Sequence, residues 1–128
     1  MKSQLLGEER ELHDRLIDSS VAKRRAIELQ NLMLHCNYQT FCIDPEPTQI
    51  PDCDMIVATL QSHDSVLPIL AERAREKGVT LCIIAPALDS ERNAACKDIV
   101  EKHRCTSVDN RAYLLLFNNH LPKQRFKL

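Results

Sequence analysis

The sequence has very little glycine and few aromatic residues. Only Gly7 and Gly78 occur among 128 residues, tryptophan is missing, and aromatic side chains make up 4% of the chain. Loops that hold nucleotide phosphates need several closely spaced glycines, so neither the dinucleotide-binding fingerprint nor the P-loop pattern occurs. Because aromatic rings are scarce, the chain also has few stacking platforms for single-stranded nucleic acid.

Neither sign of charge dominates the chain. There are 17 Lys and Arg residues and 18 Asp and Glu residues, which gives a formal net charge of -1. Binding to nucleic acid or to an anionic membrane surface relies on clustered positive charge. We therefore expect no nucleic-acid partner.

The sequence shows no signal peptide and no membrane-spanning segment. The first eight residues turn acidic at once and contain no long apolar run. No stretch approaches the roughly 18 apolar residues of a spanning helix. We therefore expect a cytoplasmic domain that does not insert directly into a membrane.

The 6 cysteines are expected to be reduced and scattered. Cys42, Cys53 and Cys82 lie in or beside apolar runs, where a reduced cysteine behaves as a small buried hydrophobe. The alternative is a zinc site, for which two sets of residues could supply ligands. One is the adjacent pair His35 and Cys36, and the other is the C-x6-H-x-C pattern of Cys96, His103 and Cys105. Neither has the paired cysteine spacing typical of zinc sites, so we expect no metal and no cofactor.

Apolar periodicity and stop signals predict three helices, at Val21–Cys36, Leu67–Lys77 and Glu91 to about His103. Ser19 or Ser20 is the expected N-cap of the first helix, and Asp89 or Ser90 that of the third. Gly78 is the expected C-cap of the second helix.

Short apolar segments predict strands at Gln39–Ile43, Met55–Leu60, Val79–Ile84 and Cys105–Val108. Glu11–Ile17 fits either a strand or a helix, and the last apolar segment, Ala112–Phe117, is expected to form a closing helix. Uniformly apolar strands that alternate with helices indicate a parallel sheet covered on both faces. The prediction is a single doubly wound α/β domain of about five strands, with a candidate linker over residues 1–10 and a basic tail over residues 119–128.

Four segments resemble the receiver domain of response regulators. Ile17–Arg25 is similar to its acidic turn and first helix, Cys36–Phe41 to the entry of its second strand, and Asp54–Leu60 to its third strand. Ala85–Asn93 resembles the loop and fourth helix of receivers attached to hybrid sensor histidine kinases. The resemblance covers roughly residues 12–118, rests on the order of the segments, and implies a flavodoxin-like fold.

The resemblance also implies a phosphorylation pocket that has lost its chemistry. Receivers need two carboxylates for Mg²⁺, an acceptor Asp after strand three, a hydroxyl after strand four and a Lys after strand five. The matching positions of this chain are Asp18, Ser19, Thr59 and Ala85, with Ser107 or Val108 at the lysine position. Residues 55–62 contain no Asp or Glu, so a shifted alignment does not restore the acceptor. Asp54 begins the strand and is expected at the opposite edge of the sheet.

This resemblance implies a non-phosphorylatable pseudo-receiver that is not an enzyme. Such a domain would act as a regulatory protein–protein interaction module in two-component phosphorelay signalling, in the cytoplasm or in the cytoplasmic part of a membrane-bound sensor kinase. Its partner would be a histidine kinase core, a true receiver or another phosphorelay component. The signalling face of ordinary receivers, made by helix four, strand five and helix five, would here include Arg92, Lys97, Arg111 and Tyr113.

Two other functions stay open. One is a small flavodoxin-like ligand-binding domain or enzyme, with a site at the carboxyl ends of the strands made by Asp18, Asp44, Thr59, Gln61, Ala85 and Asp109. The other is a helical dimerisation or docking module over residues 1–37 beside an α/β body. A helix at Glu11–Ile17 would contradict the receiver topology, which begins with a strand.

Overall fold

The computed structural model describes residues 11–118 and 125–127. Its elements, in chain order, are α1 (Glu11–Asp18), α2 (Lys23–His35), β1 (Phe41–Ile43), β2 (Met55–Ala58), α3 (Leu67–Lys77), β3 (Thr80–Ile84), α4 (Ser90–Lys102), β4 (Ser107–Asp109), β5 (Tyr113–Leu116) and β6 (Arg125–Lys127). The predicted mixed α/β class is confirmed. The predicted linker over residues 1–10 lies outside the described residues, and of the predicted basic tail over residues 119–128 only residues 125–127 belong to them.

The six strands form one sheet in the order β1-β2-β3-β5-β4-β6. The pairs β1–β2, β2–β3 and β4–β6 are parallel, whereas β5 runs antiparallel to both of its neighbours. Every described strand except β5 therefore points the same way. Their carboxyl ends meet at one side of the sheet, which we call the carboxyl edge and which carries Asp44, Thr59, Ala85 and Asp109.

The prediction of a purely parallel sheet is wrong at β5. Ala112–Phe117, expected as a helix, contains this strand, which pairs with β4 through a tight turn. In that turn the Asn110 side-chain oxygen accepts hydrogen bonds from the amides of Ala112 and Tyr113, at 3.0 and 2.9 Å, and Arg111 has a φ of 71°. So short a connection reverses the chain, because a parallel pairing would need a crossover of a dozen or more residues.

The ambiguous segment near the start of the described chain is helix α1. Leu12 and Leu16 lie one helical turn apart and are 1% and 0% exposed, packed in the same core layer as α2. A strand would also have placed both leucines on one face, which is why the sequence alone left the choice open. The described chain therefore begins with two helices, where the receiver topology requires a strand.

The sheet divides the core into two layers. Helices α1 and α2 pack on the face that carries Met55, Val57, Cys82 and Leu115. Helices α3 and α4 pack on the other face, which carries Ile56, Leu81, Ile83, Leu114 and Leu116. Successive strand residues point to opposite faces, so continuous burial of β2 and β3 means that both faces are covered. Of the described helices, none has the length and apolar character needed to cross a bilayer.

The helix ends show which of the expected caps are formed. Gly78 ends α3 with a φ of 69°, and the Asp89 carboxylate caps α4 by accepting the amide of Arg92 at 2.8 Å, as predicted. The expected capping of α2 by Ser19 or Ser20 is wrong. Its N-cap is Ala22, without a side-chain bond, because Ser20 takes a left-handed conformation (φ 67°) in the turn from α1.

Candidate functional site

A network of polar side chains lies at the carboxyl edge, between the ends of β1, β2 and β3. Asp44 follows β1, Thr59 and Ser62 follow β2, and Arg92 projects from the first turn of α4. In open α/β sheets, ligands bind in the crevice outside the carboxyl ends of the strands. The network therefore occupies the place where this class of fold usually binds its ligand.

The Asp44 carboxylate joins the end of β1 to the loop after β2. One of its oxygens accepts the amide of Thr59 at 2.7 Å and the hydroxyl of Ser62 at 2.6 Å. Its other oxygen accepts the Thr59 hydroxyl. Asp44 also has a φ of 47°, a left-handed conformation that Asp tolerates better than most residues. Both carboxylate oxygens are therefore engaged inside the protein.

The Arg92 guanidinium fills the space beside Asp44 and is only 2% exposed. Its donors reach the carbonyl oxygens of Ser62 and Thr59 at 2.9 and 3.2 Å. They also reach two carbonyls at the end of β3, Ile84 at 2.9 Å and Ala85 at 3.1 Å. A buried cation is tolerated when its donors are bonded in this way.

The network closes the part of the carboxyl edge between β1, β2 and β3. Asp64 adds a carboxylate oxygen 3.5 Å from the Arg92 guanidinium, so the buried charge also faces an opposite one. Within residues 11–118 and 125–127, every buried side-chain nitrogen or oxygen has a hydrogen-bond partner. These groups already satisfy one another, so the arrangement stabilises the strand ends.

The residues of the predicted phosphorylation pocket are only partly brought together. Thr59 and Ala85 meet at the carboxyl edge, since the carbonyls of both accept from Arg92. Asp18 ends α1, in the helical layer of α1 and α2, and Ser19 lies in the turn that follows. Ser107 is the first residue of β4 and so lies toward the amino end of that strand.

The site proposed for a ligand-binding alternative is also partly assembled. Asp44, Thr59 and Gln61 are joined, because the Gln61 amide donates to the Thr59 hydroxyl at 3.1 Å. Asp109 ends β4 at the same edge, and its carboxylate accepts the amide of Arg111 at 2.8 Å. Asp54 precedes β2 and binds the amides of Gln39 and Thr40 before β1, so its predicted place at the opposite edge is confirmed.

The predicted interaction surface is divided among three places. Lys97 and Arg111 are exposed and line one groove. Arg92, expected on the surface, is buried in the network described above, so this expectation is wrong. Tyr113 pairs with Ile84 across β3 and β5, and packs against the core layer of α1 and α2, on the face opposite α4.

The groove that holds Lys97 and Arg111 has a volume of about 520 Å³. We call it the basic groove. Its lining includes Cys96, Lys97, Val100 and Glu101 of α4, Ser107, Asp109, Leu114 and Lys127 of the sheet, and Arg111 of the turn between β4 and β5. None of the ion pairs within the described ranges includes Lys97, Arg111 or Lys127. The basic groove therefore combines an apolar floor with cations that are not paired to any carboxylate in the described part of the chain.

The residues of the zinc alternative serve other purposes. Cys96 is a buried residue of α4, and burial raises the pKa of its thiol to about 11. His103 is buried, and its imidazole forms a hydrogen bond with the carbonyl of Phe117 at 2.8 Å. In the part of the chain that the structure describes, no three His, Cys, Asp or Glu side chains are grouped to hold a metal ion.

Sequence reasoning missed the roles of Arg92 and Ser62. One signal was available for Arg92, which stands in the first turn of the predicted third helix, three residues after the cap Asp89. Positive charge is unfavourable at a helix N-terminus because of the helix dipole. An arginine at that position therefore points to specific acceptors nearby. Ser62 carries no comparable signal.

The chain has no match among protein-family models, curated proteins or solved structures. What the fold and the site define is an α/β sandwich in which the carboxyl edge between β1, β2 and β3 is closed by side chains of the chain itself.

Proposed function

We propose that this chain is a non-catalytic regulatory module that binds a protein partner in the basic groove. The observation that carries the proposal is the closed carboxyl edge, where Asp44 and Arg92 use their polar atoms on protein groups. The adjacent groove, by contrast, keeps Lys97 and Arg111 exposed and unpaired with any described carboxylate. Recognition is therefore assigned to the groove, and structural support to the network at the ends of β1, β2 and β3.

The proposal of a non-catalytic edge rests on how its charged groups are engaged. General acid–base catalysis needs a group within reach of a substrate proton, and electrostatic catalysis needs donors aimed at a developing charge. The Asp44 carboxylate already accepts three hydrogen bonds. Arg92 is 2% exposed, with its guanidinium directed at carbonyls of the β2 and β3 ends. Substrate contact would require both to give up these partners.

The partner that best fits the basic groove is an acidic protein segment with an apolar anchor. Leu114 is buried at the floor and Val100 is half-buried on α4, which gives the groove an apolar surface. Lys97, Arg111 and Lys127 supply three cations along it, against the two acidic residues that also line it. Complementary charge of this kind steers association and fixes the register of a bound segment.

A partner from a phosphorelay, in the cytoplasm, is the finer proposal. It is supported by the receiver-like order of segments and by the position of Thr59 and Ala85 at the ends of adjacent strands, where receivers place their acceptor and hydroxyl. Helix α1 in place of a first strand, and the antiparallel β5, count against a receiver topology. The interaction proposal does not depend on this finer one, and the two have separate tests.

Reversal of charge in the basic groove tests the interaction proposal. The probe is a fluorescein-labelled peptide of alternating Glu and Leu, titrated at low and moderate salt and followed by fluorescence anisotropy. The double variant Lys97→Glu/Arg111→Glu is expected to bind it roughly tenfold or more weakly, because exposed ion pairs are each worth up to about 1 kcal/mol. Chemical-shift changes in the wild-type chain should centre on α4 and the β4–β5 turn.

Lys23→Glu is the matched control for this experiment. Lys23 is an exposed helical cation in the opposite layer, and the reversal changes net charge there by as much as either groove substitution does. It should leave peptide affinity within about twofold of wild type. Equal losses in the control and in single groove variants, or shift changes spread over both layers, would contradict the assignment of binding to the groove.

Mg²⁺ with beryllofluoride, a mimic of the phosphoryl group, tests the proposal of a non-phosphorylatable module. Because Thr59 replaces the acceptor carboxylate and Asp44 is fully bonded, we expect the amide resonances of both residues to stay unchanged. An authentic receiver domain, measured under the same conditions, provides the positive control. Saturable shifts at Thr59 or Asp44 that require both Mg²⁺ and beryllofluoride would overturn the proposal.

A further inference from the structure

Two cysteines lie side by side where β1 and the approach to β2 meet. The sulfur of Cys42, on β1, is 3.1 Å from the sulfur of Cys53, which lies two residues before β2. Both are free thiols. A disulfide requires a sulfur–sulfur length of about 2.05 Å, so the two sulfurs are about 1 Å from bonding distance.

The two thiols differ in exposure. Cys42 is 8% exposed and belongs to the core layer under α3 and α4, whereas Cys53 is half-buried at the margin of that layer. One sulfur of the pair can therefore meet a dissolved oxidant, while the other is held behind it. This is the arrangement of an attacking thiol and a resolving thiol.

The electrostatic surroundings also distinguish the two sulfurs. The hydrogen bond that Cys42 donates to the Cys53 sulfur lowers the pKa of Cys53, and the nearby positive charge of Lys77 acts in the same direction. The pKa of Cys42 is raised by the same hydrogen bond and by burial. Since the thiolate is the reactive form, the directions of both shifts favour Cys53 as the nucleophile of the pair.

We propose that Cys42 and Cys53 form a reversible dithiol–disulfide site that is oxidised by hydroperoxides and that restrains the loop over residues 44–52. The proposal rests on the placement of the two sulfurs. It is independent of the function proposed for the basic groove, which lies on other elements.

The chemistry takes two steps. The Cys53 thiolate attacks one oxygen of hydrogen peroxide, the O–O bond breaks, and hydroxide leaves, so that sulfur is oxidised to a sulfenic acid. The hydroxide becomes water by taking up a proton. Cys42 then attacks the Cys53 sulfur, the S–O bond breaks, and the thiol proton leaves with the hydroxyl as a second water. One peroxide is thus reduced to two waters while two thiols lose two electrons. A dithiol reductant restores both thiols by exchange.

Oxidation would close a covalent ring around the loop that contains Asp44. This loop runs from the end of β1 to Cys53, and its middle residues line a shallow surface with Arg73, Glu76 and Lys77 of α3. Asp44 holds the segment after β2 through Thr59 and Ser62. The redox state of the pair would therefore set the mobility of a loop connected to the carboxyl edge.

The test treats the full chain with a stoichiometric series of hydrogen peroxide and measures intact mass before and after dithiothreitol, while the free thiols of a parallel denatured sample are titrated. We expect a loss of about 2 Da that dithiothreitol reverses, a fall in titratable thiols from 6 to about 4, and a Cys42–Cys53 cross-link in non-reducing peptide maps. Amide hydrogen exchange over residues 44–52 should slow in the oxidised form.

Cys53→Ser should abolish the mass loss, and Cys42→Ser should halt the reaction at a sulfenic acid on Cys53, which a dimedone probe would trap. Cys105→Ser, a half-buried cysteine elsewhere, is the control that should oxidise like wild type. Far-UV circular dichroism shows whether each variant is folded. Cys53→Ala is a second variant at the same position, for use if Cys53→Ser does not fold. A cross-link that persists without Cys53, disulfides at other cysteines, or unchanged exchange in the loop would overturn the proposal.

Discussion

Replacing Arg92 with methionine is expected to lower the free energy of unfolding by about 3–5 kcal/mol. Methionine retains much of the apolar stem but has no donors. The carbonyls of Thr59, Ser62, Ile84 and Ala85 would then be left without the guanidinium that now binds them in a site only 2% exposed. Urea unfolding, followed by circular dichroism and by hydrogen exchange of β3 amides, measures the loss.

Two further variants make this result specific to the guanidinium. Lys97→Met removes an exposed cation from the same helix and should change stability by no more than about 0.5 kcal/mol. Arg92→Lys keeps the charge but has one compact ammonium for carbonyls on two strand ends, so it should recover only part of the loss. A loss of under about 1 kcal/mol for Arg92→Met would show that water replaces the guanidinium and that the carboxyl edge is open.

Asp44→Ala is expected to cost about 2–4 kcal/mol. Three donors, the amide and hydroxyl of Thr59 and the hydroxyl of Ser62, would lose their acceptor. Alanine would also have to adopt the φ of 47° that Asp44 has. Asp44→Asn tolerates this conformation and keeps one acceptor oxygen, so it should cost less than the alanine variant. Thermal and urea unfolding provide the measurement.

Glu46→Ala, at an exposed position of the same loop, is the matched control and should be nearly neutral. Because Asp44 and Arg92 both bind Thr59 and Ser62, their losses should not add. We expect a coupling energy of about 0.5–3 kcal/mol in the double-mutant cycle. Strictly additive losses would mean that the carboxylate and the guanidinium act as separate supports and not as one network.

The helices and the first strands could be predicted from the sequence because their signals are local. The spacing of Ala26, Leu29 and Met33 defines the buried side of α2, and all three are buried. Asp89 and Gly78 mark helix ends through their own side-chain and backbone chemistry. β2 and β3 are continuous apolar runs of strand length between turn signals.

The elements that were misjudged depend on tertiary contacts. Leu12 and Leu16 fit one face of a strand as well as one face of a helix, and packing in the layer of α2 decides for the helix. The apolar run at Ala112–Phe117 is too short for periodicity to separate helix from strand. Its direction is set by the tight turn at Asn110, whose side chain binds two following amides.

Part of the candidate site could be predicted, because it follows from the order of the strands along the chain. Asp44, Thr59 and Ala85 follow strands, so sequence order alone puts them at one edge. The burial of Arg92 does not follow from the order of the strands. Long charged side chains are seldom buried unless they find several partners. Those partners are main-chain carbonyls at the end of β3 and in the segment after β2, and they come together only once the sheet has formed.

The single antiparallel strand has a consequence for how the chain folds during synthesis. β3 is the last of the three parallel strands, and its free side is covered only when β5 pairs with Leu81, Cys82 and Ile83. A nascent chain that ends before residue 113 therefore presents a hydrophobic, unpaired strand, the feature through which sheets aggregate. The β4–β5 hairpin forms from local contacts and can cover β3 as soon as it emerges. Until this hairpin is made, that side of β3 is open to pairing with another chain.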